Sequence, residues 1–153
     1  MILAKIVTFA AAHRLLNYEG KCSNLHGHDW KAIFKFKVDK DNLDKSGISV
    51  DFGKLKPLLE EVVPDHDDVN RWLYIVKMGG DQGYETIPVP IQFSTNMSPS
   101  AENIALALAR KAIDIASTLQ IEFYSLTLYE SDTSFVEVNG NDIEPGGSGQ
   151  SID

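Results

Sequence analysis

The stretch CSNLHGHDWKAIFKFKV, residues 22–38, decides how this chain folds and where its chemistry lies. From Trp30 onward large apolar residues alternate with lysines, which is typical of a strand with one buried and one solvated face. Side chains two residues apart in a strand point to the same side of the sheet. His26 and His28 therefore share one face near the beginning of this strand, and their imidazoles can bind one ion.

All four histidines and the single cysteine fall in three short segments of the sequence. His13 ends an apolar run that begins at Ile2, and the loop after it is long enough for this run to pair antiparallel with the His26 strand. Three imidazoles would then converge. Three histidines leave a tetrahedral Zn²⁺ with one open position, which is the arrangement of a catalytic site. The alternative is that they are ordinary strand histidines with satisfied hydrogen bonds.

Composition limits the class of protein. A chain of 153 residues with 43% hydrophobic content predicts one compact domain with its own core. The net charge of -8 at pH 7 and the pI near 4.9 argue against nucleic acid or an anionic membrane as a partner. We expect a cytoplasmic enzyme, because no apolar run of about 18 residues and no signal-peptide pattern is present. A single cysteine also excludes an internal disulfide.

Two helices are predicted. Asp51 is a candidate N-cap for a helix that continues to Val62, with Pro57 marking a kink or a late start. Ser98 followed by Pro99 predicts the start of a second helix, which carries an apolar stripe of core residues.

Further strands follow the second helix. Residues 122–130 alternate and place Tyr124, Leu126, Leu128 and Glu130 on one face, and residues 134–138 form a last short strand. The strands and helices together predict the α+β class. Residues 71–97 carry turn signals and apolar pieces, and predict an ordered excursion with one short hairpin. The Gly-rich residues 144–153 predict a disordered tail.

Six motifs in chain order resemble the 6-pyruvoyl-tetrahydropterin synthase superfamily. They are Phe-x-Ala-x-His (Phe9 to His13), Cys-x-x-x-His-Gly-His (Cys22 to His28), Val-Asp-Phe-x-x-Leu-Lys (Val50 to Lys56), Asp-His-x-x-x-Asn (Asp65 to Asn70), Pro-Ser-Ala-Glu-Asn (Pro99 to Asn103) and Tyr-Glu-Ser (Tyr129 to Ser131). The spacing from Cys22 to His26 is similar to that of the 6-carboxy-5,6,7,8-tetrahydropterin synthases of the queuosine pathway.

The resemblance implies a tunnelling fold, in which a four-stranded antiparallel sheet carries two helices on one face. Several copies of such a subunit close into an oligomeric β-barrel, and we expect a homohexamer with active sites between subunits. The domain would span residues 1–143, with residues 71–97 as an insertion atypical of the family.

The resemblance also implies a zinc-dependent carbon–carbon lyase. Its substrate would be 7,8-dihydroneopterin triphosphate, and its products 6-carboxy-5,6,7,8-tetrahydropterin, acetaldehyde and triphosphate. Zinc on His13, His26 and His28 would bind the side-chain hydroxyls of the substrate and make a neighbouring C–H proton removable. The family pattern gives the catalytic base to Cys22, and a proton relay to Asp65 and His66 of a neighbouring subunit.

Three residues are expected to contact the substrate. Glu130 would accept the guanidine-like N–H edge of the pterin, because a carboxylate recognises such an edge through two parallel hydrogen bonds. Ser100 and Glu102 belong to the same set by resemblance. Glu102 has a second interpretation, since an acidic residue also stabilises the first turn of a helix. Cys22 could likewise be the fourth ligand of a closed Cys-His₃ zinc site.

Three other functions stay open at this point. The first is the sister enzyme 6-pyruvoyl-tetrahydropterin synthase, which eliminates triphosphate and keeps all three side-chain carbons. The second is a binding module without catalysis, stabilised by zinc in a closed site. A zinc hydrolase built around the same three histidines is the third, although nothing in the sequence names its substrate.

Overall fold

The computed structural model describes residues 1–71 and 98–143. These ranges contain five strands, two helices and two short 3₁₀ turns. The bounds are β1 Ile2–His13, β2 His26–Lys37, α1 Phe52–Val62, β3 Asp67–Asp68, α2 Ala101–Thr118, β4 Glu122–Ser131 and β5 Ser134–Asn139, with 3₁₀ turns at Lys21–Ser23 and Gly140–Asp142. The predictions for residues 72–97 and for the tail at residues 144–153 lie outside the described residues.

The strands form one sheet in the order β3-β1-β2-β4-β5. β1 pairs antiparallel with β2 over their whole length, and β2 with β4 and β4 with β5 are also antiparallel. The predicted four antiparallel strands are therefore present. The two-residue β3 extends them to five, because the chain after α1 returns to the end of β1 and runs parallel to Ala11 and Ala12.

The core lies between the sheet and the helices. Alternation places Val7, Phe9 and Ala11 of β1 on this inner face, and α2 contributes several buried alanines that allow close approach to the sheet. Phe34, Phe36, Leu126 and Leu128 are completely buried. Burial of each such side chain stabilises the fold by roughly 1.5–3 kcal/mol, so the inner face fixes the register that positions the site.

Both helix starts are capped by side chains. The Asp51 carboxylate accepts a hydrogen bond of 2.7 Å from the Gly53 N–H, as predicted. Because α1 begins at Phe52 and contains Pro57 in its interior, the late start at that proline is wrong.

The cap of α2 differs from the prediction. Its N-cap is Ser100, whose hydroxyl accepts from the Asn103 N–H, and the predicted Ser98 lies two residues too early. The hydroxyl of Ser98 instead accepts a 2.8 Å hydrogen bond from the Leu16 N–H. Ser98 therefore ties the loop after β1 to the segment before α2.

The predicted face of β4 is correct for Leu126, Leu128 and Glu130 but wrong for Tyr124. The ladder between β2 and β4 shifts register between Lys35 and Phe36, so Tyr124 is the extra residue of a bulge. Its side chain is 50% exposed. Such irregularities depend on the partner strand and are not visible in the alternation of one strand. In the described ranges, neither helix is long and apolar enough to cross a membrane.

Candidate metal centre and active site

Three imidazoles meet at one end of the sheet's inner face. The β1–β2 register sets His13 opposite His26, and the small Ala11 opposite His28 leaves room for the rings. Their centroids are 4.7 Å apart for His13 and His26, 5.2 Å for His13 and His28, and 4.9 Å for His26 and His28. The convergence that strand parity predicts is thus present in the structure.

Backbone carbonyls fix which nitrogen of two rings points into the cluster. His13 Nδ1 lies 2.7 Å from the Pro99 carbonyl oxygen, and His26 Nδ1 lies 2.8 Å from that of Asn24. A carbonyl only accepts, so each Nδ1 carries the proton and each Nε2 keeps a lone pair. This arrangement of an imidazole held by a carbonyl is typical of metal-binding histidines.

The donor set fits a metal ion. The ligand atoms of His13, His26, His28 and Glu130 all lie within 4.8 Å of one another. The Nε2 atoms of His13 and His28 are buried and have no hydrogen-bond partner among the described residues. An unsatisfied buried polar atom costs about 1–3 kcal/mol, and a cation would remove this cost at both atoms. The alternative of ordinary strand histidines with satisfied hydrogen bonds does not describe this site.

Burial affects the protonation of the cluster. Desolvation lowers the pKa of His28 below its ordinary value, and the neighbouring His13 and His26 act in the same direction. The Glu130 carboxylate opposes them without reversing the shift. The neutral imidazole is therefore favoured, and this is the form that binds a metal.

Glu130 occupies a place that its predicted role did not include. Its Oε1 lies 3.0 Å from His28 Nε2 and 3.6 Å from His13 Nε2, and its side chain is 28% exposed. The sequence does predict that Glu130 faces inward, because it lies two and four residues after Leu128 and Leu126, whose side chains point to the inner face. Glu130, and not Cys22, is the fourth member of the group of possible ligands.

Two asparagines hold the chain around His13, and sequence reasoning assigned neither a role. Asn70 is 2% exposed; its Oδ1 accepts from the Arg14 N–H at 2.7 Å and its Nδ2 donates to the Arg14 carbonyl at 3.0 Å. Asn103 Nδ2 donates to the Ser98 carbonyl at 2.8 Å. Asn70 therefore braces the residue that follows β1, and Asn103 braces the segment whose Pro99 carbonyl orients His13.

Cys22 lies beside the cluster. It is partly buried in the 3₁₀ turn Lys21–Ser23, and its carbonyl accepts a 2.8 Å hydrogen bond from the Leu15 N–H. It lines a cavity of about 280 Å³ whose walls include all three predicted substrate contacts. The polar residues that line this cavity are His13, Cys22, Ser100, Glu102, Glu130 and Ser134.

Asp65 and His66 form a pair elsewhere. His66 Nδ1 lies 3.0 Å from Asp65 Oδ1, and the two side chains are 83% and 51% exposed. The hydrogen bond from the Ala10 N–H, together with that from His66, lowers the pKa of Asp65 below its ordinary value. His66 adopts φ 55°, in the left-handed region that non-glycine residues rarely occupy. Such backbone strain is common at functional positions.

The cavities that His66 lines are distinct from the cavity of Cys22. They are bounded by residues of β1 and β2 such as Ala10 and Asp29; one of them includes His28 of the histidine cluster, and the other reaches Tyr129 and Asp132. A single chain thus places His13, Cys22 and the predicted substrate contacts around one cavity, whereas His66 lines other cavities, one of them together with His28.

Comparison with known proteins agrees with this geometry. The 6-pyruvoyl tetrahydropterin synthase family matches residues 2–141. The 6-carboxy-5,6,7,8-tetrahydropterin synthase of Rickettsia typhi is 33% identical over 134 residues, which cover 86% of this chain and 95% of the relative. The synthase of the same name from Haemophilus influenzae is 30% identical over 142 residues, covering 88% and 96%. The chain therefore belongs to the 6-pyruvoyl tetrahydropterin synthase family.

Solved structures support the fold. The structure of Caenorhabditis elegans 6-pyruvoyl tetrahydropterin synthase superposes with a TM-score of 0.67 at 22% identity, covering 92% of this chain and 95% of that one. That of 6-pyruvoyl tetrahydropterin synthase from Plasmodium vivax gives 0.57 at 19%, covering 90% and 97%. The predicted tunnelling fold of the subunit is confirmed.

Proposed function

We propose that this protein is a zinc-dependent 6-carboxy-5,6,7,8-tetrahydropterin synthase. It would convert 7,8-dihydroneopterin triphosphate and one water to 6-carboxy-5,6,7,8-tetrahydropterin, with release of acetaldehyde and triphosphate, in the queuosine pathway. The observation that carries the proposal is the cavity beside the three converged histidines, which Cys22 and all three predicted substrate contacts line. The relatives named as 6-carboxytetrahydropterin synthases support this choice of product.

Zinc is the ion that this donor set fits. His13, His26 and His28 would hold it, with two of the three rings oriented by backbone carbonyls. When bound, Zn²⁺ supplies Lewis acidity that acidifies the side-chain hydroxyls of the substrate and the neighbouring C–H bond.

The remaining roles belong to side chains. Cys22, as a thiolate, would take the proton from the side-chain carbon of the substrate. His66 would move protons to and from the substrate, with Asp65 fixing its tautomer through the 3.0 Å contact. Ser100, Glu102 and Glu130 would contact the pterin from the wall of the cavity.

We propose that the active site is shared between subunits of a homo-oligomer, a hexamer built from barrels. Cys22 and His66 line different cavities of one chain, which supports a relay that a second copy supplies to the thiol. The sheet also ends in edges that need a partner, and large apolar side chains are exposed along β1 and β5, including Ile2, Ile6 and Phe135.

The partners proposed are the pterin triphosphate and further copies of this chain. The net charge of -8 does not favour nucleic acid or an anionic membrane. A free thiol as catalytic base suits a reducing compartment, and we propose the cytoplasm.

Product analysis tests the function. The zinc-loaded protein is incubated with 7,8-dihydroneopterin triphosphate, and the pterin and any aldehyde are identified. We expect 6-carboxytetrahydropterin and acetaldehyde in equal amounts. A product that keeps all three side-chain carbons, without acetaldehyde, would instead identify the sister enzyme. If zinc binds to the histidines and no pterin is converted, the binding module is the correct interpretation.

A further inference from the structure

The contact between Glu130 and the histidines is unusual in its chemistry. His13 carries its proton on Nδ1, which donates to the Pro99 carbonyl, so its Nε2 presents a lone pair to Glu130 Oε1 at 3.6 Å. Two acceptors that face each other in a partly buried site repel. His28 Nε2 lies 3.0 Å from the same oxygen, but this contact lacks hydrogen-bond geometry, and the buried Nε2 has no hydrogen-bond partner among the described residues.

A shared cation resolves all of these contacts. Four potential ligand atoms, three imidazole nitrogens and one carboxylate oxygen, lie within 4.8 Å of one another. Four ligands of these types complete the tetrahedral coordination that Zn²⁺ prefers. The carboxylate also supplies a negative charge that three neutral imidazoles lack.

The fold brings Glu130 to this place. Leu126 and Leu128 of β4 point into the core, and Glu130 continues the same parity one step nearer the histidine end of the sheet. Glu102 lines the same cavity but is exposed at the first turn of α2, and it is not part of the ligand group. The two glutamates thus share a cavity and differ in their relation to the histidines.

We propose that Glu130 is the fourth metal ligand of the substrate-free protein. This inference rests on the proposed function, because it assumes zinc on the three histidines. It replaces the open fourth position, expected from three histidines alone, by a carboxylate that leaves the ion when a substrate hydroxyl arrives. The resting site is then closed, and binding of substrate exchanges one protein oxygen for one substrate oxygen.

The experiment compares wild type, Glu130→Gln and the matched control Glu102→Gln, without substrate. The dissociation constant for Zn²⁺ is measured by competition with a chromophoric chelator. We expect Glu130→Gln to bind zinc at least about tenfold more weakly, since even outer-shell partners of a metal site contribute about 10–100-fold to affinity. Glu102→Gln should match wild type.

Cobalt and azide give a second readout that is independent of affinity. Each protein is loaded with Co²⁺, and its visible spectrum is recorded during titration with azide, which binds a metal that has an exchangeable water. We expect the wild-type and Glu102→Gln spectra to change only at azide concentrations well above those that shift Glu130→Gln. Glu130→Asp, whose carboxylate is shorter, should also take up azide and supplies a second variant if Glu130→Gln folds poorly.

The outcomes separate the two proposals. If wild type binds zinc through its histidines and makes acetaldehyde, while Glu130→Gln has the same zinc affinity and azide response as wild type, then Glu130 is not a ligand and only this inference fails. If wild type does not bind zinc, or binds it equally well without His26, then the inference and the proposed zinc centre both fail.

Discussion

The histidine end of the sheet and the Asp65–His66 edge contain the same kinds of side chain in opposite environments. His13 is 2% exposed, and its ring is fixed by the Pro99 carbonyl. His66 is 83% exposed and is paired with the half-exposed Asp65. One region is buried and braced from several elements, whereas the other rests on β1 with its functional groups in solvent.

This difference in exposure indicates which proposed catalytic groups one chain supplies by itself and which need a second subunit. The proposed zinc centre needs fixed geometry, and one chain provides it through the backbone carbonyls that orient His13 and His26. A proton relay with most of its surface exposed lacks the low-polarity surroundings in which acid–base groups work well. We therefore interpret the exposed pair as half of a site that a second subunit completes.

Removal of one histidine should give the largest effect. His26→Ala removes a ring that the Asn24 carbonyl orients and that lies opposite His13. We expect zinc affinity to fall by more than the roughly 10–100-fold that outer-shell residues contribute, and activity to disappear with the metal. Metal analysis of the purified protein measures this. His66→Ala is the matched control and should keep its zinc. If both variants lost zinc equally, metal binding would not distinguish the histidine end from the Asp65–His66 edge.

Removal of proton-transfer groups should leave the metal in place. Cys22→Ala and His66→Ala should each fold, bind zinc and lose turnover by about 10²- to 10⁴-fold, the usual contribution of general acid–base catalysis. The measurement is kcat together with zinc content. If Cys22→Ala lost as much zinc as His26→Ala, the result would support the alternative of a closed Cys-His₃ site.

Mixing these two variants tests the shared site. If subunits of Cys22→Ala and His66→Ala are refolded together with zinc in equal amounts, random assembly pairs an intact Cys22 with an intact His66 in about one site in four. Activity near a quarter of wild type is expected, against almost none for each variant refolded alone. No recovery in oligomers shown to be mixed would place the relay within one chain.

Much of the histidine end could be predicted from sequence because it depends on strand parity. The two-residue spacing of His26 and His28, and the position of His13 at the end of an apolar strand, determine which side chains share a face. The proposed role of Glu130 as a metal ligand follows the same rule, but a carboxylate on the inner face has several possible partners. Only the sheet order, with β4 beside β2, selects the histidines.

Other features depend on contacts between distant segments. The local Ser98-Pro99 pattern favours an N-cap at Ser98, whereas in the structure the hydroxyl of Ser98 accepts from the N–H of Leu16, which is distant in sequence. The clamp of Asn70 on Arg14 and the two-residue β3 arise in the same way, from the return of the chain to the end of β1. In the proposed shared site, the position of Asp65 and His66 relative to Cys22 would depend on a second chain, which no pattern within one sequence determines.

Loss of the Asn70 clamp should affect stability more than catalysis. Asn70→Ala leaves the N–H and the carbonyl of Arg14 without their side-chain partner in a partly buried place. Loss of such hydrogen bonds costs about 1–3 kcal/mol in the free energy of unfolding. Denaturant unfolding of the metal-free protein measures it, with the exposed Asn42→Ala as control. A change no larger than that of the control would show that the histidine end does not depend on this brace.

Neutralising Asp65 should have the smallest effect on stability and a definite pH dependence. Asp65→Asn keeps an oxygen that can accept from the Ala10 N–H and removes only the charge beside His66. The pKa of Asp65 is lowered in the folded chain, chiefly by the Ala10 hydrogen bond. Its charge therefore stabilises the fold at pH values above the ordinary aspartate pKa of 3.8, and this contribution is lost as the pH falls through the folded-state value.

The side chain is half exposed, so solvent screening keeps the effect below about 1 kcal/mol. The difference in unfolding free energy between wild type and Asp65→Asn should be constant from neutral pH down to the ordinary aspartate pKa and should shrink below it. Asp41→Asn, at a carboxylate whose side chain is 77% exposed, is the control and should give a smaller difference. If Asp65→Asn lowered the free energy of unfolding by several kcal/mol, the Asp65–His66 edge would contribute to stability as much as the histidine end does. That result would contradict the difference drawn between the two regions.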